Sequence, residues 1–430
     1  MSRLVFVVLI SLLPMAGYAQ KMWSYAEAVK AGYNPKDYDW NALNTRWINM
    51  RAIALLGIDG VRFDQSAANI RQVGDMGRYE RADVRGLRVG FGGTINLRRP
   101  WSYLFSISVN SVIRDYDPDK DDAVTILDAM VNVPLWGANG RMQIGKMKEP
   151  ISMERSMGLV FEQVMERPMH VDAFTPTRNI GVTLSDMMLD GRMSWRAGVF
   201  NDWLESHRPG FDDNNRQYVG RITGVLFDDP LYYRLLHLGV GYRYEDVRRG
   251  SVRYKAKPEY HFCTPWIDTG DIPAKRTQLI NTELTWLFGA WWLAAEYSRM
   301  AVDAVGRPDP VFDGWDVTLN WFATGEHRGY DYRRGIVKRV KPLHPMGHGG
   351  WGALEFSARY STLDLNSRGI EGGRMDVWSL GTIWHPLFQV QLHLQYSHAR
   401  PESRPVDDPA APTMKSSADL WMLRAVFLLD

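Results

Sequence analysis

A period-two alternation of apolar and polar residues is the sequence feature that most constrains how this chain can fold. It is clearest at 101–113, 354–361 and 388–397, where most alternate positions are aromatic or aliphatic and the positions between them are polar. This pattern predicts β-strands with one apolar and one polar face. The strands have roughly ten residues or more, the length that a tilted bilayer crossing needs. Their polar faces carry charges and amides that a sandwich core could not bury unpaired.

Aromatic composition and hydropathy narrow the fold class further. The 430 residues include 17 Trp and 19 Tyr, which concentrate where one side is apolar and the other wet, as at a membrane interface. Mean hydropathy is −0.30, and no stretch of roughly 18 apolar residues follows the first twenty. Only helices and closed barrels satisfy their backbone hydrogen bonds in lipid. The sequence therefore predicts an all-β protein, a transmembrane antiparallel β-barrel that is apolar outside and wet inside.

The N-terminus reads as a secretory signal peptide. Arg3 supplies the positive end, residues 4–13 form a short apolar run, and residues 17–19 form a small-residue cleavage site. We expect cleavage after Ala19 and export of the mature chain. The predicted domains are a signal peptide (1–19), a periplasmic N-terminal arm (20–46) and a barrel domain (47–430).

The alternating segments give seventeen candidate strands, and single-chain bacterial barrels have even numbers. The candidates are 48–63, 80–97, 101–114, 123–136, 140–148, 178–187, 192–202, 216–228, 234–247, 251–259, 278–289, 291–303, 312–325, 351–364, 375–385, 388–399 and 418–429. Short connections fall consistently on the periplasmic side only if 251–259 belongs to one long external loop. Sixteen strands remain. This topology leaves about 25 residues, 326–350, on the periplasmic side, where turns are usually short.

Charge and cysteine content argue against several other classes of protein. Lys plus Arg number 51 and Asp plus Glu 49, so the balance implies neither nucleic acid nor an acidic polymer as partner. A single cysteine, Cys263, excludes a disulfide framework and a Cys-rich zinc site. The aspartates within 117–122 lack the Gly and Glu of a calcium loop, and no Gly-x-Ser-x-Gly elbow occurs. We expect no cofactor, no metal and no enzymatic activity, although content alone leaves a barrel hydrolase open.

A set of short motifs closely resembles the phosphate-selective porin (O/P) family. The motifs include Phe312-Asp313-Gly314-Trp315, Thr324-Gly325-Glu326-His327-Arg328, Gly145-Lys146-Met147-Lys148-Glu149-Pro150 and Met165-Glu166-Arg167. The resemblance keeps order and spacing from roughly residue 48 to 429. It implies a 16-stranded outer-membrane barrel, a homotrimer, and passive uptake of anions, which are phosphate or polyphosphate in studied members.

The resemblance also implies where solutes are selected. In the family the third external loop, here 149–177, folds inward and carries basic residues and serines. Arg155 and Arg167 match basic positions of that loop, and Asp128 matches a family aspartate on the strand 123–136. The serines and the second lysine are replaced by residues 158–160, Gly-Leu-Val. Because a phosphate cage needs several donors converging on its oxygens, phosphate selectivity is expected to be weaker than the family name implies.

Other basic residues are candidates from their spacing. Lys146 and Lys148 alternate along one strand and line either the lumen or the wall. Arg253, Lys255 and Lys257 alternate strictly and form either an external row that draws anions inward or an ordinary solvated loop face. Within the strand 80–97, Arg85 and Arg88 cannot share a face, being an odd number apart. Arg88 is the better candidate for the lumen.

Taken together, these features predict a passive, anion-preferring porin of the Gram-negative outer membrane. Its expected partners are small anions, outer-membrane lipid and lipopolysaccharide, and two further copies of the chain in a homotrimer, with no nucleic acid. Selectivity would come from fixed cations that partly replace the hydration of the solute. The alternatives are a weakly selective porin for organic or sugar-like solutes, and a non-conducting barrel used for adhesion or envelope structure.

Overall fold

Sixteen long strands form one closed antiparallel sheet. The computed structural model describes residues 41–109, 124–206, 210–347, 349–405, 408 and 410–429. The strands are β1 (Ile48–Gln65), β2 (Ala82–Ile95), β3 (Trp101–Val109), β4 (Val124–Pro134), β5 (Arg141–Met147), β6 (Asn179–Met188), β7 (Met193–Asn201), β8 (Arg216–Asp229), β9 (Arg234–Asp246), β10 (Ile272–Phe288), β11 (Trp291–Ala304), β12 (Val311–Phe322), β13 (Ala353–Ser367), β14 (Ile370–Leu387), β15 (Val390–Ser403) and β16 (Ala418–Leu429). Each strand pairs with the next along the chain. β1 closes the barrel by pairing with β16, from Ala54↔Leu429 to Gln65↔Ala418. The predicted 16-stranded barrel is confirmed.

The remaining secondary structure is short. The described residues contain four helices, α1 (Ala67–Val73), α2 (Met153–Ser156), α3 (Met169–Phe174) and α4 (Trp203–Ser206), with 3₁₀ turns at Gly77–Tyr79, Leu159–Phe161, Leu189–Gly191 and Phe211–Asp213. Short strands lie at Ala42–Asn44, Ser251–Val252, Lys255–Ala256, Ile267–Asp268, Tyr330–Asp331, Ile336–Val337 and Met414–Lys415. In the described part of the chain, no helix has the length and apolarity needed to cross a membrane.

The outer surface carries two levels of aromatic side chains. At the end with the short turns, Trp291, Trp321 and Phe356 stack in a row, with ring centroids 5.8 and 5.9 Å apart. Toward the other end, Tyr360 packs against Trp378 at 4.4 Å. Exposed aliphatic residues cover the wall around and between these levels, namely Val317, Leu319, Leu380, Leu394 and Leu423. Aromatic girdles flanking an apolar band are the lipid-facing surface of an outer-membrane barrel.

Strand bounds match the sequence prediction in the middle of each strand and differ at the ends. β10 begins at Ile272 instead of 278, because its outer end pairs with the short strand Ser251–Val252. The segment 251–259 holds two two-residue strands within the β9–β10 loop, so leaving it out of the barrel was correct. The signal peptide, most of the arm 20–46 and the segment 110–123 with its aspartates lie outside the described residues.

A β-bulge in β2 overturns the prediction that Arg85 and Arg88 lie on opposite faces. β1 pairs Gly57 with Gly86 and then Ile58 with Val84, which leaves Arg85 as an extra residue. A bulge shifts the alternation of side chains by one position. Arg85 and Arg88 therefore both line the same internal cavity.

The long connection between β12 and β13, residues 323–352, is not an extended surface turn. It contains a hairpin in which Tyr330–Asp331 pairs with Ile336–Val337. Ile336 and Val337 are at most 1% exposed and belong to an apolar cluster with Met153 and Met157 of the β5–β6 loop. This hairpin therefore rises between the barrel walls and meets a loop that comes from the opposite end.

Candidate pore and constriction

The third loop, residues 149–177 between β5 and β6, is held by the polar inner face of the barrel. Its helix α2 begins at Ser152, whose hydroxyl accepts a hydrogen bond from the Arg155 N–H at 3.0 Å. Backbone N–H groups of the loop donate to side chains on three strands. These bonds join Met153 to Glu283 of β10 at 2.7 Å, Glu154 to Glu296 of β11 at 2.8 Å, and Met165 to Gln395 of β15 at 2.8 Å.

Glu166 connects the third loop to the seam of the barrel. Its carboxylate accepts two hydrogen bonds from Arg85 of β2, at 2.6 and 2.8 Å, and one from Arg424 of β16 at 2.5 Å. Arg424 is also paired with Asp59 of β1 at 2.7 and 2.6 Å. Burial alone would raise the pKa of Glu166, but the charges of Arg85 and Arg424 hold that pKa well below its usual range. Glu166 is therefore ionised and fixes the loop to the β1–β2–β16 wall.

His170 forms a third attachment and completes a Ser–His–Asp arrangement. Its Nδ1 lies 2.9 Å from Ser298 Oγ and its Nε2 lies 3.0 Å from Asp316 Oδ1. Sequence spacing gave no sign of this triad, since its members come from the loop, β11 and β12. All three residues are at most 2% exposed, so a substrate carbonyl has no access to the hydroxyl. The arrangement acts as an anchor for α3.

Two further anchors join Arg243 of β9 to Glu149 at 2.7 Å and Arg359 of β13 to the Glu166 carbonyl at 2.6 Å. Together, the anchors on β2, β9–β13, β15 and β16 leave an open passage on the remaining side. A cavity of about 700 Å³ lies there between the third loop, the β9–β10 loop and the wall that runs from β2 to β6. Its lining includes ten lysines and arginines and only four carboxylates. The cations are Arg85, Arg88, Lys146, Lys148, Arg155, Arg167, Arg178, Arg249, Lys255 and Lys257. The passage therefore carries an excess of positive charge, and its low-dielectric walls focus the field of these fixed charges.

Six of the eight residues predicted from the sequence line this cavity. They are Arg155, Arg167, Lys146, Lys148, Lys255 and Lys257. Asp128 is not in the lining. It accepts two hydrogen bonds from Arg178, at 2.9 and 3.0 Å, and so orients a cation that is in the lining. Arg253 lines a separate cavity and pairs with Asp268 at 2.8 Å, although its exposure alternates with Tyr254 as the spacing predicted.

The two loop arginines are tightly bound. Arg155 donates to the Thr175 hydroxyl at 2.6 Å, to two backbone carbonyls at 3.0 Å and to Asp172 at 3.0 Å. Burial lowers the pKa of Arg155 to about 10. Arg167 pairs with Glu162 at 2.7 Å and donates to two carbonyls of the loop. These arginines shape the loop as well as charging it.

The lysines of β5 and its end are engaged in a similar way. Lys146 is 4% exposed and forms an ion pair with Glu205 of α4. The Lys148 ammonium donates to the carbonyl oxygen of Met157. Both lie in the cavity lining, and they tie the wall to the loops that surround it.

The third loop offers no free hydroxyls at the positions where the family resemblance implies serines. Leu159 and Val160 are buried and cluster with Leu55 and Val426 of the wall. The Ser156 hydroxyl donates to the Ser152 carbonyl at 2.6 Å, and Ser152 caps α2. The hydroxyls closest in sequence therefore stabilise the loop.

The sequence analysis named Arg88 as the better lumen candidate of its strand, and Arg88 lines the cavity, but it missed Arg178, the cation beside Asp128. Arg88 of β2 has no hydrogen bond or ion pair with any described residue, and it is surrounded electrostatically by Arg178, Arg85 and Arg167. Arg178, at the end of the third loop, lies next to the predicted Asp128. The pairing of Arg178 with Asp128 could not be found from the sequence, because it depends on the register between strands that are far apart along the chain.

Three carboxylates converge on one guanidinium at the centre of the barrel. Arg359 of β13 lies 3.8 Å from Glu154 of the third loop, 3.7 Å from Glu259 of the β9–β10 loop and 3.9 Å from Asp316 of β12. Burial raises the pKa of Glu154 and that of Glu259 to about 7, against the opposing effect of Arg359. One cation does not neutralise this group, so its charge changes near neutral pH. Among the described residues, no group of three or more His, Cys, Asp or Glu side chains could hold a metal ion.

Comparison with known proteins identifies similar sequences and folds. A family model described as phosphate-selective porin O and P matches residues 59–416. An uncharacterized protein of Caulobacter vibrioides (strain ATCC 19089 / CIP 103742 / CB 15) is 31% identical over 288 residues, which cover 64% of this chain and 57% of that protein. The chain thus matches little more than half the length of that relative.

Solved structures share the barrel at low sequence identity. OmpT of Vibrio cholerae has a TM-score of 0.53 at 10% identity, covering 90% of this chain and 100% of that one. A trimer form of the same protein, folded in vitro, has a TM-score of 0.52 at 11% identity, covering 89% and 100%. The anion-selective porin from Comamonas acidovorans has a TM-score of 0.51 at 12% identity, covering 88% and 100%. At these identities the likeness concerns the fold alone.

Proposed function

Because the chain belongs to the phosphate-selective porin O and P family, we propose that it forms a passive outer-membrane channel that prefers small anions. The observation that carries this proposal is the cation excess of the 700 Å³ cavity, where ten lysines and arginines face four carboxylates. An anion that enters a narrow passage loses part of its hydration shell, and fixed cations replace it. A cation of the same size meets repulsion at the same place. No chemical step is part of this function.

We propose that the cavity-lining residues Arg155, Arg167, Lys146 and Lys148 set the positive potential of the constriction together with the wall. Lys255 and Lys257 of the β9–β10 loop extend that potential toward the external mouth, where steering raises the rate of anion entry. Arg253, which is paired with Asp268 on the external side of the same loop, contributes less.

We propose a general anion preference instead of a specific phosphate site. Specific binding of phosphate needs several hydrogen-bond donors that converge on its oxygens. The guanidinium of Arg155 already donates to the Asp172 carboxylate and to Thr175, and the Ser156 hydroxyl donates within its own helix. Few uncommitted donors therefore remain on the third loop for a tetrahedral ligand.

We propose that the chain works as a homotrimer, in which the low side of the barrel, where the wall strands are shortest, faces the neighbouring copies. β5 has only seven residues, whereas a tilted crossing takes roughly 9–11, so we take the wall around β5 as this low side. Contact with a second copy would cover the part of the wall that lipid cannot match. The remaining circumference, which carries the aromatic levels, would face lipid and lipopolysaccharide.

The test is bilayer conductance of the purified protein under a potassium chloride gradient, repeated with added phosphate. A reversal potential that favours chloride, with little block by phosphate, is expected. Block at low phosphate concentration would instead mean that phosphate is bound by donors outside the third loop. A channel without anion preference would contradict the proposal and favour the organic or sugar-like solutes that the missing serines also allow. A closed lumen without conductance would favour an adhesion or structural barrel.

A further inference from the structure

The hairpin of the β12–β13 connection crosses the lumen on the periplasmic side of the third loop. Arg221 of β8 donates to the carbonyl oxygens of Arg334 and Gly335 at 2.9 and 2.7 Å. Arg333 donates twice to Asn139, in the turn between β4 and β5, at 2.8 Å. These contacts fix the hairpin tip between β8 and the β4–β5 turn, on the side where the passage is open.

The tip packs closely and has little freedom to move. Gly335 has a φ of +61°, and a Cβ at this position would lie 2.7 Å from the Thr223 hydroxyl. Glycine is thus required both by the backbone conformation and by the lack of space. Thr223 is in turn hydrogen-bonded to Ser194 of β7 at 2.8 Å. The tip is therefore seated against the inner face of β7 and β8.

Two arginines at this seat, Arg196 and Arg334, are neither ion-paired nor strongly hydrogen-bonded through their guanidinium groups among the described residues. Arg196 lies two residues from Ser194 on β7, so it shares the inward face. In the described part of the chain it makes no hydrogen bond or ion pair, and Arg334, Arg221, Arg333 and the Asp331 carboxylate are all within electrostatic range. Arg334, on the hairpin tip, is exposed. Its backbone N–H donates to the Asp331 carboxylate at 3.1 Å, and its guanidinium makes one 3.4 Å contact with the Ser156 carbonyl of the third loop.

The neighbouring arginines, Arg221 and Arg333, differ from Arg196 and Arg334 because their guanidinium groups are already hydrogen-bonded to other side chains. Arg221 is paired with the Glu283 carboxylate at 3.1 Å, and Arg333 is held in place by two hydrogen bonds to Asn139. Asp331 is a carboxylate within electrostatic range of both Arg196 and Arg334. Among the described residues neither guanidinium is ion-paired with it, so the four arginines of this seat leave an excess of positive charge where an anion gains charge-assisted contacts. Ser156 adjoins Arg155, so this place lies directly below the constriction.

We propose that Arg196 and Arg334 form a second anion-binding station, on the periplasmic side of the constriction, that holds small inorganic anions such as chloride or phosphate before release. This inference rests on the proposed anion preference of the channel. An anion leaving the constriction passes from the cavity cations to this pair. Conduction through two stations in series requires each to bind weakly enough to release its ion.

The test compares Arg334→Gln, Arg196→Gln and the double variant with Arg307→Gln, which removes the same charge from an exposed external turn. We expect each of the two lumen substitutions to lower the anion-to-cation permeability ratio about threefold at low salt, and Arg307→Gln to leave it unchanged. Arg334→Lys keeps the charge and should keep most of the preference. Heat-modifiable migration on a gel confirms that each barrel is folded.

A combination with Arg88→Gln tests whether the two stations are separate. If they are, the logarithms of the two effects add in the double variant. The inference is overturned if Arg334→Gln and Arg196→Gln behave like Arg307→Gln, or if Arg334→Gln adds nothing to Arg88→Gln. A wild-type channel without anion preference would be a different result, because it would contradict the proposed function itself.

Discussion

Replacing Arg88 with glutamine should lower anion preference without changing the shape of the pore. Arg88 projects from β2 into the main cavity, is partly buried, and has no carboxylate or hydrogen-bond partner among the described residues. Glutamine keeps much of the side-chain length and removes only the charge. Since no contact holding the third loop depends on Arg88, the loop should stay in place.

The expected size of the effect follows from Coulomb's law. A unit charge roughly 6 Å from a passing ion contributes about 0.7 kcal/mol even at the dielectric constant of water. That energy changes the local concentration of a monovalent anion about threefold. The concentration of a cation changes by the same factor in the opposite direction. The anion-to-cation permeability ratio should therefore fall by about threefold to tenfold, the upper value applying if this point limits the flux.

The assay is the zero-current potential of single channels under a potassium chloride gradient, at low and at high salt. Screening shortens the range of the charge from about 10 Å at 0.1 M to about 3 Å at 1 M, so the difference from wild type should nearly vanish at high salt. Arg307→Gln is the matched control. An unchanged ratio at low salt would refute the reasoning, as would a difference of equal size at both salt concentrations, since that would indicate altered pore geometry.

Three further outcomes are expected. Because burial raises the pKa values of Glu154 and Glu259 to about 7, these carboxyls are neutral below that pH, so anion preference should increase as the pH falls from about 8 to about 6. A pH-independent reversal potential would contradict this. Gly241→Ala should raise single-channel conductance, since a Cβ there would lie 1.9 Å from the Ile151 carbonyl oxygen and would displace the third loop; wild-type conductance would show that the loop tolerates the methyl group. Cys263, 0% exposed and with its pKa raised by burial to about 12, should react with a thiol reagent only after unfolding, and labelling of the native barrel would disprove its burial.

The barrel was predictable because its signal is local. Alternation over ten residues identifies a strand and its lipid-facing side, and the parity of bacterial barrels sets the strand number. The bulge at Arg85 was not predictable, because one extra residue in a strand produces no change in composition. The same limit explains the strand ends, which depend on partners such as Ser251–Val252 for β10.

Most basic residues of the site were predictable from the sequence, but the carboxylates with which they pair were not. Alternating lysines and the third-loop arginines were found from spacing and resemblance, and most line one cavity. Which cations are neutralised depends on residues far apart in sequence, as with Arg85 and Glu166 or Arg221 and Glu283. The hairpin tip with Arg334 was missed because a 25-residue segment on the periplasmic side gave no sign that it enters the lumen.

The third loop is attached to only one side of the barrel, and this divides the wall into two arcs with different roles. In the first arc, from β9 to β16, inward side chains such as Glu283, Glu296 and Asp316 form hydrogen bonds with the loop. From β3 to β7 the wall is left to the solute, and β2 serves both purposes, because Arg85 holds the loop and Arg88 lines the passage. Substitutions in the first arc should cause unfolding or misassembly, whereas those in the second arc should change permeation. A library aimed at changing what this channel admits therefore needs to sample only the second arc.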